Sequence, residues 1–324
     1  MIQKVEISSR TIIFIVVFLL FLKILWIVRE VIYALFLAFI FMSALKPAVN
    51  LLERQRIPRF LAALLIFIPT IAGVIFILAF ILPPLLLESL SFFRSLPIII
   101  GEAFPFVSIY LKNNALNAFL PDITQNFLKV ITGLFSNLIF VISILFFTFY
   151  FLLEEKFLKN FLDRFIEEKK SEEIVTVISK AEKRMGAWVW GEVVLMTVIG
   201  IMTYTGLSFL QVPYAIPLAV LAGILEVVPI IGPTISAIPA IFVAASTSWL
   251  LALYTLILYI VIQQLENNLI VPVVMKKAVG LHPIITLIAL TVGGKLGGFL
   301  GILLAVPAAL FIETILIEII KFRK

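Results

Sequence analysis

The sequence contains no cysteine, a single histidine, and charged residues at only 14% of its 324 positions. Without cysteine there are no disulfides, thiolate metal sites or cysteine nucleophiles. With His282 alone, no His-Glu-x-x-His metal motif is possible, and its place before Pro283 suits an interface residue better than a proton shuttle. A Gly-x-Ser-x-Gly motif is also missing, so nothing points to a hydrolase or an intramembrane protease. Soluble domains carry about 25% charged residues, well above this chain. We therefore expect no catalytic residues, no cofactor and no metal site.

What the chain has instead is 63% hydrophobic residues and a mean hydropathy of +1.21. That is the composition of a polytopic membrane protein. Thr11 to Val28 runs directly into further apolar sequence, so it reads as a retained span rather than a removed signal. The net charge of +6 is attributed to Lys and Arg in cytoplasmic loops, not to nucleic acid.

Spans follow from apolar runs of about 20 residues. Thr11 to Val28 and Val31 to Leu45 are expected to form a tight hairpin around Arg29-Glu30. Lys46, Arg54, Arg56 and Arg59 then mark a cytoplasmic loop. Phe60 to Leu82 crosses outward and stops at Pro83-Pro84, and 85–128, interrupted by proline and asparagine, is an external interfacial segment. Its stretch Phe106 to Phe119 is amphipathic. Val130 to Leu153 returns. Between Glu154 and Ala187, charges of both signs and the spacing of Phe157, Phe161 and Phe165 predict solvated amphipathic helices, with Ser171 capping the second. Trp188 to Leu210 crosses outward, opened by Trp188 and Trp190.

The stretch Glu226-Val-Val-Pro229-Ile-Ile-Gly232-Pro233 puts a carboxylate and helix breakers into apolar sequence. Broken backbone at membrane depth survives only where protein or a polar cavity surrounds it, and an ionisable residue there marks a site. Pro213 to Ala245 supplies about 50 Å of helix, short of two crossings of a ~30 Å core, so it reads as a re-entrant hairpin turning near Pro229. Trp249 to Val271 then runs inward and ends at Pro272, before Lys276 and Lys277. A second hairpin, entering from the opposite side, follows from Ile284 through the glycines at 293, 294, 297 and 298. On this topology 19 of the 25 Lys and Arg lie inside.

Pro213 and Gly223 recur as Pro283 and Gly293, and Ala237-Ile-Pro239-Ala240 recurs as Ala305-Val-Pro307-Ala308. Each hairpin follows one crossing helix, so the second unit is inverted relative to the first, as in secondary transporters. The fold class is an all-α polytopic membrane protein of crossing helices plus two opposed re-entrant hairpins forming an inverted repeat. Residues 1–153 form an N-terminal scaffold, 154–187 a cytoplasmic helical segment, and 188–324 a transport core with hairpins at 213–245 and 284–320.

The candidate substrate-binding residues are Glu226, Pro229, Gly232 and Pro233 at the first break, and Gln263, Glu266, Asn267 and Asn268 at the end of a crossing helix. Gly293, Gly294, Lys295, Gly297 and Gly298 at the second turn complete the set. Gln263, Glu266 and Asn267, spaced i, i+3, i+4, share one face of a regular helix. The glycines suit close backbone approach, and they lack the Gly-Lys-Ser/Thr of a phosphate loop. If the two tips meet near midplane, Glu226 and Lys295 pair there.

The run from Glu226 to Pro233, together with Gln263-Gln264-Leu-Glu266-Asn267-Asn268 through Pro272, Leu281-His282-Pro283 and Gly297-Gly298 to Pro307, resembles the autoinducer-2 exporter family. The resemblance implies a bacterial inner-membrane protein with cytoplasmic termini, a homo-oligomer and specifically a pentamer. It also implies export of a small polar solute such as the autoinducer-2 furanone signal, or alternatively sodium or lithium/proton antiport. A membrane scaffold is the remaining class, and it has no use for opposed hairpins with charged tips.

Overall fold

The computed structural model describes residues 9–76, 79, 138–154, 156–228, 231–275 and 280–322. In chain order its helices are α1 (Ser9–Ile27), α2 (Arg29–Arg54), α3 (Arg59–Phe76), α4 (Leu138–Leu153), α5 (Phe157–Leu162) and α6 (Glu168–Phe209). They continue as α7 (Ala215–Leu225), α8 (Ile231–Thr247), α9 (Trp249–Leu265), a π-helical turn (Glu266–Ile270), α10 (Val271–Val274) and α11 (Pro283–Phe322). Among the described residues there is no strand, and six helices are long and apolar enough to cross a membrane. The all-α polytopic reading holds. The external segment 85–128, with Pro83-Pro84 before it, lies outside the described residues.

The frame is α6, 42 residues and about 63 Å at 1.5 Å per residue. It stays helical because strong helix formers fill its first turns and no proline occurs in it. The sequence reading placed a break near 187 and a cap at Ser171; instead one helix carries both the charged and the apolar half. Ser171 lies buried inside it. Helix α5 folds back on its start, where Lys159 reaches Glu172 at 3.0 Å. That pairing lifts Lys159 above the ordinary lysine range.

Helix α2 packs antiparallel to α6. Lys46 pairs with Glu182 at 2.8 Å, Trp190 Nε1 donates to the Ala44 carbonyl at 3.0 Å, and Gly186 sits directly against the Ser43 carbonyl. At the same basic end Arg59, opening α3, donates to the Leu152 carbonyl of α4 at 2.9 Å and to Glu53 of α2 at 2.8 Å. Below it Val49, Ala62, Ala63 and Leu152 form a buried cluster joining the three helices. Arg184 of α6 holds Glu313 at 2.7 Å and Thr314 at 2.8 Å, and Lys180 holds Glu318, which fastens the end of α11 to α6.

The predicted hairpin at Arg29-Glu30 is not formed. Only Val28 leaves helical geometry (φ −90, ψ 7), with helical hydrogen bonds on either side of it, and α1 and α2 touch only around this junction. Reversing a helix takes a loop of two to five residues. Arg and Glu are good helix formers rather than turn residues, and Arg29 simply stacks on Trp26, 4.0 Å from the ring centre. The chain bends here and does not turn back.

Both helical hairpins of the second half are present as fold-back structures. Helices α7 and α8 pack together, with Gly232 against the Leu225 carbonyl. Helix α11 folds back at Gly298, whose φ 57 and ψ −133 are open to glycine but not to residues with a side chain. A straight helix would separate Gly293 and Gly301 by about 12 Å; here they touch, and Gly293 also meets Ala305. The turn is thus at Gly298 alone, while Gly293 and Gly294 belong to the first arm. Pro272 does not end the preceding helix, which runs on through the π turn to Val274.

Gly301→Ala puts a methyl group into the Gly293 carbonyl, and overpacking of this kind costs about 1–3 kcal/mol. Gly73→Ala meets nothing within 4 Å and gains helix propensity, about 0.5–1 kcal/mol. Thermal unfolding in detergent is expected to fall for the first variant and to hold or rise for the second.

Candidate functional site

Helices α6, α7 and α9 meet in a small apolar layer of Ile199, Ala222 and Ile262. Helix α9 runs antiparallel to α6, since Gly206 lies against Leu258 while Ile199, earlier in α6, meets Ile262, later in α9. Helix α7 does the same: Gly200 faces the Ala219 carbonyl and Gly223 faces the Met196 carbonyl. Two turns back from Ile199 along α6 is Glu192. One turn on from Ala222 is Glu226, and one turn on from Ile262 is Glu266. Because the helices oppose, all three steps go toward the basic end of α6, about 10 Å for Glu192 and about 6 Å for the other two, and gather the three carboxyls on one side of the layer.

They are buried there, with relative exposures of 5% for Glu192, 2% for Glu226 and 3% for Glu266. Glu226 and Glu266 lie close together, and the Glu192 carboxyl stands near both. Gln263 donates to Glu266 Oε2 at 3.3 Å. Oε1 of Glu192 and Oε2 of Glu226 have no protein partner. Buried charges without donors are costly by several kcal/mol each. The chemistry on offer is taking up and releasing a proton. Among the described residues no three His, Cys, Asp or Glu side chains are grouped so as to hold a metal ion.

The π turn decides which polar residues of α9 join this site. Its i→i+5 spacing widens the helix, so that Glu266 points inward while Asn267 and Asn268 are exposed. The shared face expected for Gln263, Glu266 and Asn267 therefore loses its third member. Asn268 donates instead to the backbone and side-chain oxygens of Gln264, both at 2.9 Å.

At the first break, Gly232 and Pro233 are buried, and the Pro233 carbonyl accepts from Ser236 at 2.9 Å. Pro229 lies outside the described residues. The second turn does not reach Glu226. Helix α11 packs on α6 and α2 rather than on the first hairpin, Gly297 rests on the Tyr33 ring, and Tyr33 Oη donates to the Leu296 carbonyl at 3.4 Å. Lys295 is exposed, and no ion pair joins it to Glu226. Gly293, Gly294 and Gly298 shape this hairpin and do not border the carboxyls. The expected midplane pair fails because the tip of α11 is held by α2, and Glu226 lies among the other carboxyls instead.

Glu192 was missed in the sequence reading. The signal was available: it is the only charged residue between Arg184 and Glu226. The adjacent Trp188 and Trp190 drew attention to a membrane interface and away from the carboxylate beside them.

Residues 12–321 match the family described as AI-2E family transporter. The chain belongs to this family. Relatives of this AI-2E transporter include two Bacillus subtilis proteins named for transport. YueF is 27% identical over 86% of this chain and 81% of its own length, and YrrI is 22% identical over 92% and 89%. The Escherichia coli protein PerM, named as a permease, is 25% identical over 58% of this chain and 54% of its own length. The AI-2E chain is thus a multi-pass membrane transporter, not an enzyme.

Gln263 is the side-chain donor to the carboxyl pair. Gln263→Leu leaves Glu266 without it, at a cost of about 1–3 kcal/mol for a buried group left unpaired. Thermal unfolding in detergent should show that loss at neutral pH, whereas Gln264→Leu, at an exposed position on the same helix, should change stability far less.

Proposed function

We propose that this AI-2E transporter is a proton-coupled secondary exporter of a small polar solute such as the autoinducer-2 furanone, with Glu226 and Glu266 as the coupling pair. One observation carries the reading: three carboxyls buried on the same side of one apolar layer inside a helix bundle. In this setting the pair holds a proton in one state and gives it up in another, and the charge that appears costs enough to drive rearrangement. Gln263 orients the pair, and Glu192 passes the proton to or from it. Of the residues first assigned to substrate, Glu226, Gln263 and Glu266 are the ones retained for coupling.

The architecture supporting this reading is a pair of re-entrant hairpins. Helices α7 and α8 measure about 16 and 25 Å, each short of a ~30 Å core. The first arm of α11, residues 283–297, is about 22 Å. Each hairpin follows a long crossing helix, α6 or α9, in keeping with an inverted repeat. The basic end, with Lys46, Arg59, Lys180 and Arg184, is placed in the cytoplasm together with the C-terminus of α11, in the bacterial inner membrane. The expectation of a cytoplasmic N-terminus depended on the hairpin that α1 and α2 do not form, and is dropped. A homo-oligomer, the pentamer of the resemblance, is held by the N-terminal helices; no residue of Arg10–Ile27 in α1 is buried within its own chain.

Sodium or lithium/proton exchange is the competing account. Proteoliposomes loaded with furanone and a pH dye test the choice. An outside-acid gradient is expected to speed furanone release with matching internal acidification, and Glu266→Gln should reduce release at least a hundredfold at equal reconstitution. Wild-type release by Glu266→Gln overturns the reading. A dye response to sodium or lithium without furanone replaces it by cation exchange.

A further inference from the structure

At the basic end of the bundle a cleft of about 620 Å³ opens between the N-terminal helices, α6 and α11, and none of Glu192, Glu226 and Glu266 borders it. Its long wall is one stripe of α2, Ile32, Phe36, Phe39, Met42 and Lys46, whose spacing of four, three, three and four residues is that of a single helix face. The stripe is about 21 Å long, and one leaflet's share of a ~30 Å core is about 15 Å. Phe311 of α11 closes the apolar part edge-on, its ring centre 6.1 Å from that of Phe36 and 5.9 Å from that of Phe39. The wall is therefore hydrocarbon from Ile32 to Met42 and charged at Lys46.

Around Lys46 the lining gathers two carboxylates. Glu182 of α6 pairs with it at 2.8 Å, and Glu154, just past the end of α4, borders the same cleft from an exposed position. One cation and two carboxylates leave this part of the lining one negative charge. Toward the start of α6, where α5 folds back on it, Leu158, Ile174 and Ile178 supply an apolar floor. From that floor Phe157, Phe161 and Phe165 continue as an exposed ladder, with ring centres 6.2 and 5.2 Å apart. Exposed aromatics on a short amphipathic helix, four residues after a spanning helix ends, belong in the headgroup layer. The charged part of the cleft thus lies where the polar heads of one leaflet begin.

Hydrocarbon along the depth of one leaflet, with charges of both signs at its headgroup end, is the complement of a membrane phospholipid. Charge then chooses among heads. A purely anionic head places its charge beside two carboxylates, whereas a head that joins a phosphate to a primary ammonium has a partner for each charged group of the wall. We infer that the cleft holds one zwitterionic phospholipid of the leaflet at the basic end, its phosphate on Lys46, its ammonium between Glu154 and Glu182, and an acyl chain along the α2 stripe. The site requires only that this end meets the membrane surface; it does not depend on proton coupling, and each stands if the other falls. Such a lipid is a wedge, touching α2 and α4 of the scaffold on one side and α6 and α11 of the second half on the other.

Native mass spectrometry of the delipidated full chain, given equal amounts of phosphatidylethanolamine and phosphatidylglycerol with the same oleoyl chains, tests the site. One ethanolamine lipid per chain is expected, retained about fivefold over the glycerol lipid, the upper range for a partly exposed ion pair. Glu154→Lys, at an exposed position, should invert that preference. Leu35→Trp, which fills the chain slot from α2, should lower retention of both lipids by a similar factor, and Val175→Trp fills the cleft from α6 where Leu35→Trp does not insert. Thermal unfolding in detergent should rise on adding the ethanolamine lipid to the parent and not to the filled variants. Equal retention of the two lipids by the parent, or an unchanged preference in Glu154→Lys, removes the head site. Undiminished retention by the filled variants puts the lipid elsewhere on the protein and overturns the assignment of the cleft.

Discussion

Burying carboxyl groups in an apolar bundle is the constraint on which the second half of this molecule depends. Three of them gather on one side of the Ile199 layer with one amide donor between them, so the surrounding helices must exclude lipid completely. That explains the small residues nearby. Gly200, Gly223 and Ala222 allow α6 and α7 to approach until backbone meets backbone, which shields the Glu226 side chain better than larger residues would. The cost of an exposed or unpaired charge in lipid sets the geometry, and helix propensity only permits it.

Helix α6 turns this local constraint into an arrangement of the whole chain. Its apolar half carries Glu192 and the contacts to α7 and α9, while its charged half is tied to α2 through Lys46 and to the end of α11 through Glu313 and Glu318. Because it is one uninterrupted helix, the ion pairs at one end and the carboxyls at the other belong to the same rigid element. The second hairpin is therefore linked to the carboxyls through α6, without its tip reaching them.

Membrane class, the helix pairs at 215–247 and 283–322, and Glu226 and Glu266 as carboxylates worth attention were legible from the sequence, because lipid penalises breaks and charges so heavily that each one is a signal. Three things were not. Arg29-Glu30 looks like a turn in a hydropathy reading, but charge on a helix former does not break a helix, and only packing reveals that α1 and α2 do not fold back. The partner of Glu226 was sought by opposite charge, and Lys295 was the nearest candidate by position in a repeat. The structure answers instead with like groups gathered together, a solution that charge matching never proposes. Glu192 was hidden by the tryptophans next to it.

The π turn at Glu266–Ile270 is in effect an α-helix holding one residue more than its hydrogen-bond ladder has room for. Such a surplus is a phase slip: the face that α9 presents before Glu266 is not the face it presents after Ile270. The slip separates the polar run Gln263 to Asn268 into an inward carboxyl and outward amides, which a regular helix would have kept on neighbouring faces. If the surplus migrated by a residue, at the cost of exchanging a few backbone hydrogen bonds, Glu266 would rotate out of its seam without any helix leaving its place. The helix can thus change what it shows to the bundle by rewinding, with no rigid-body swing required.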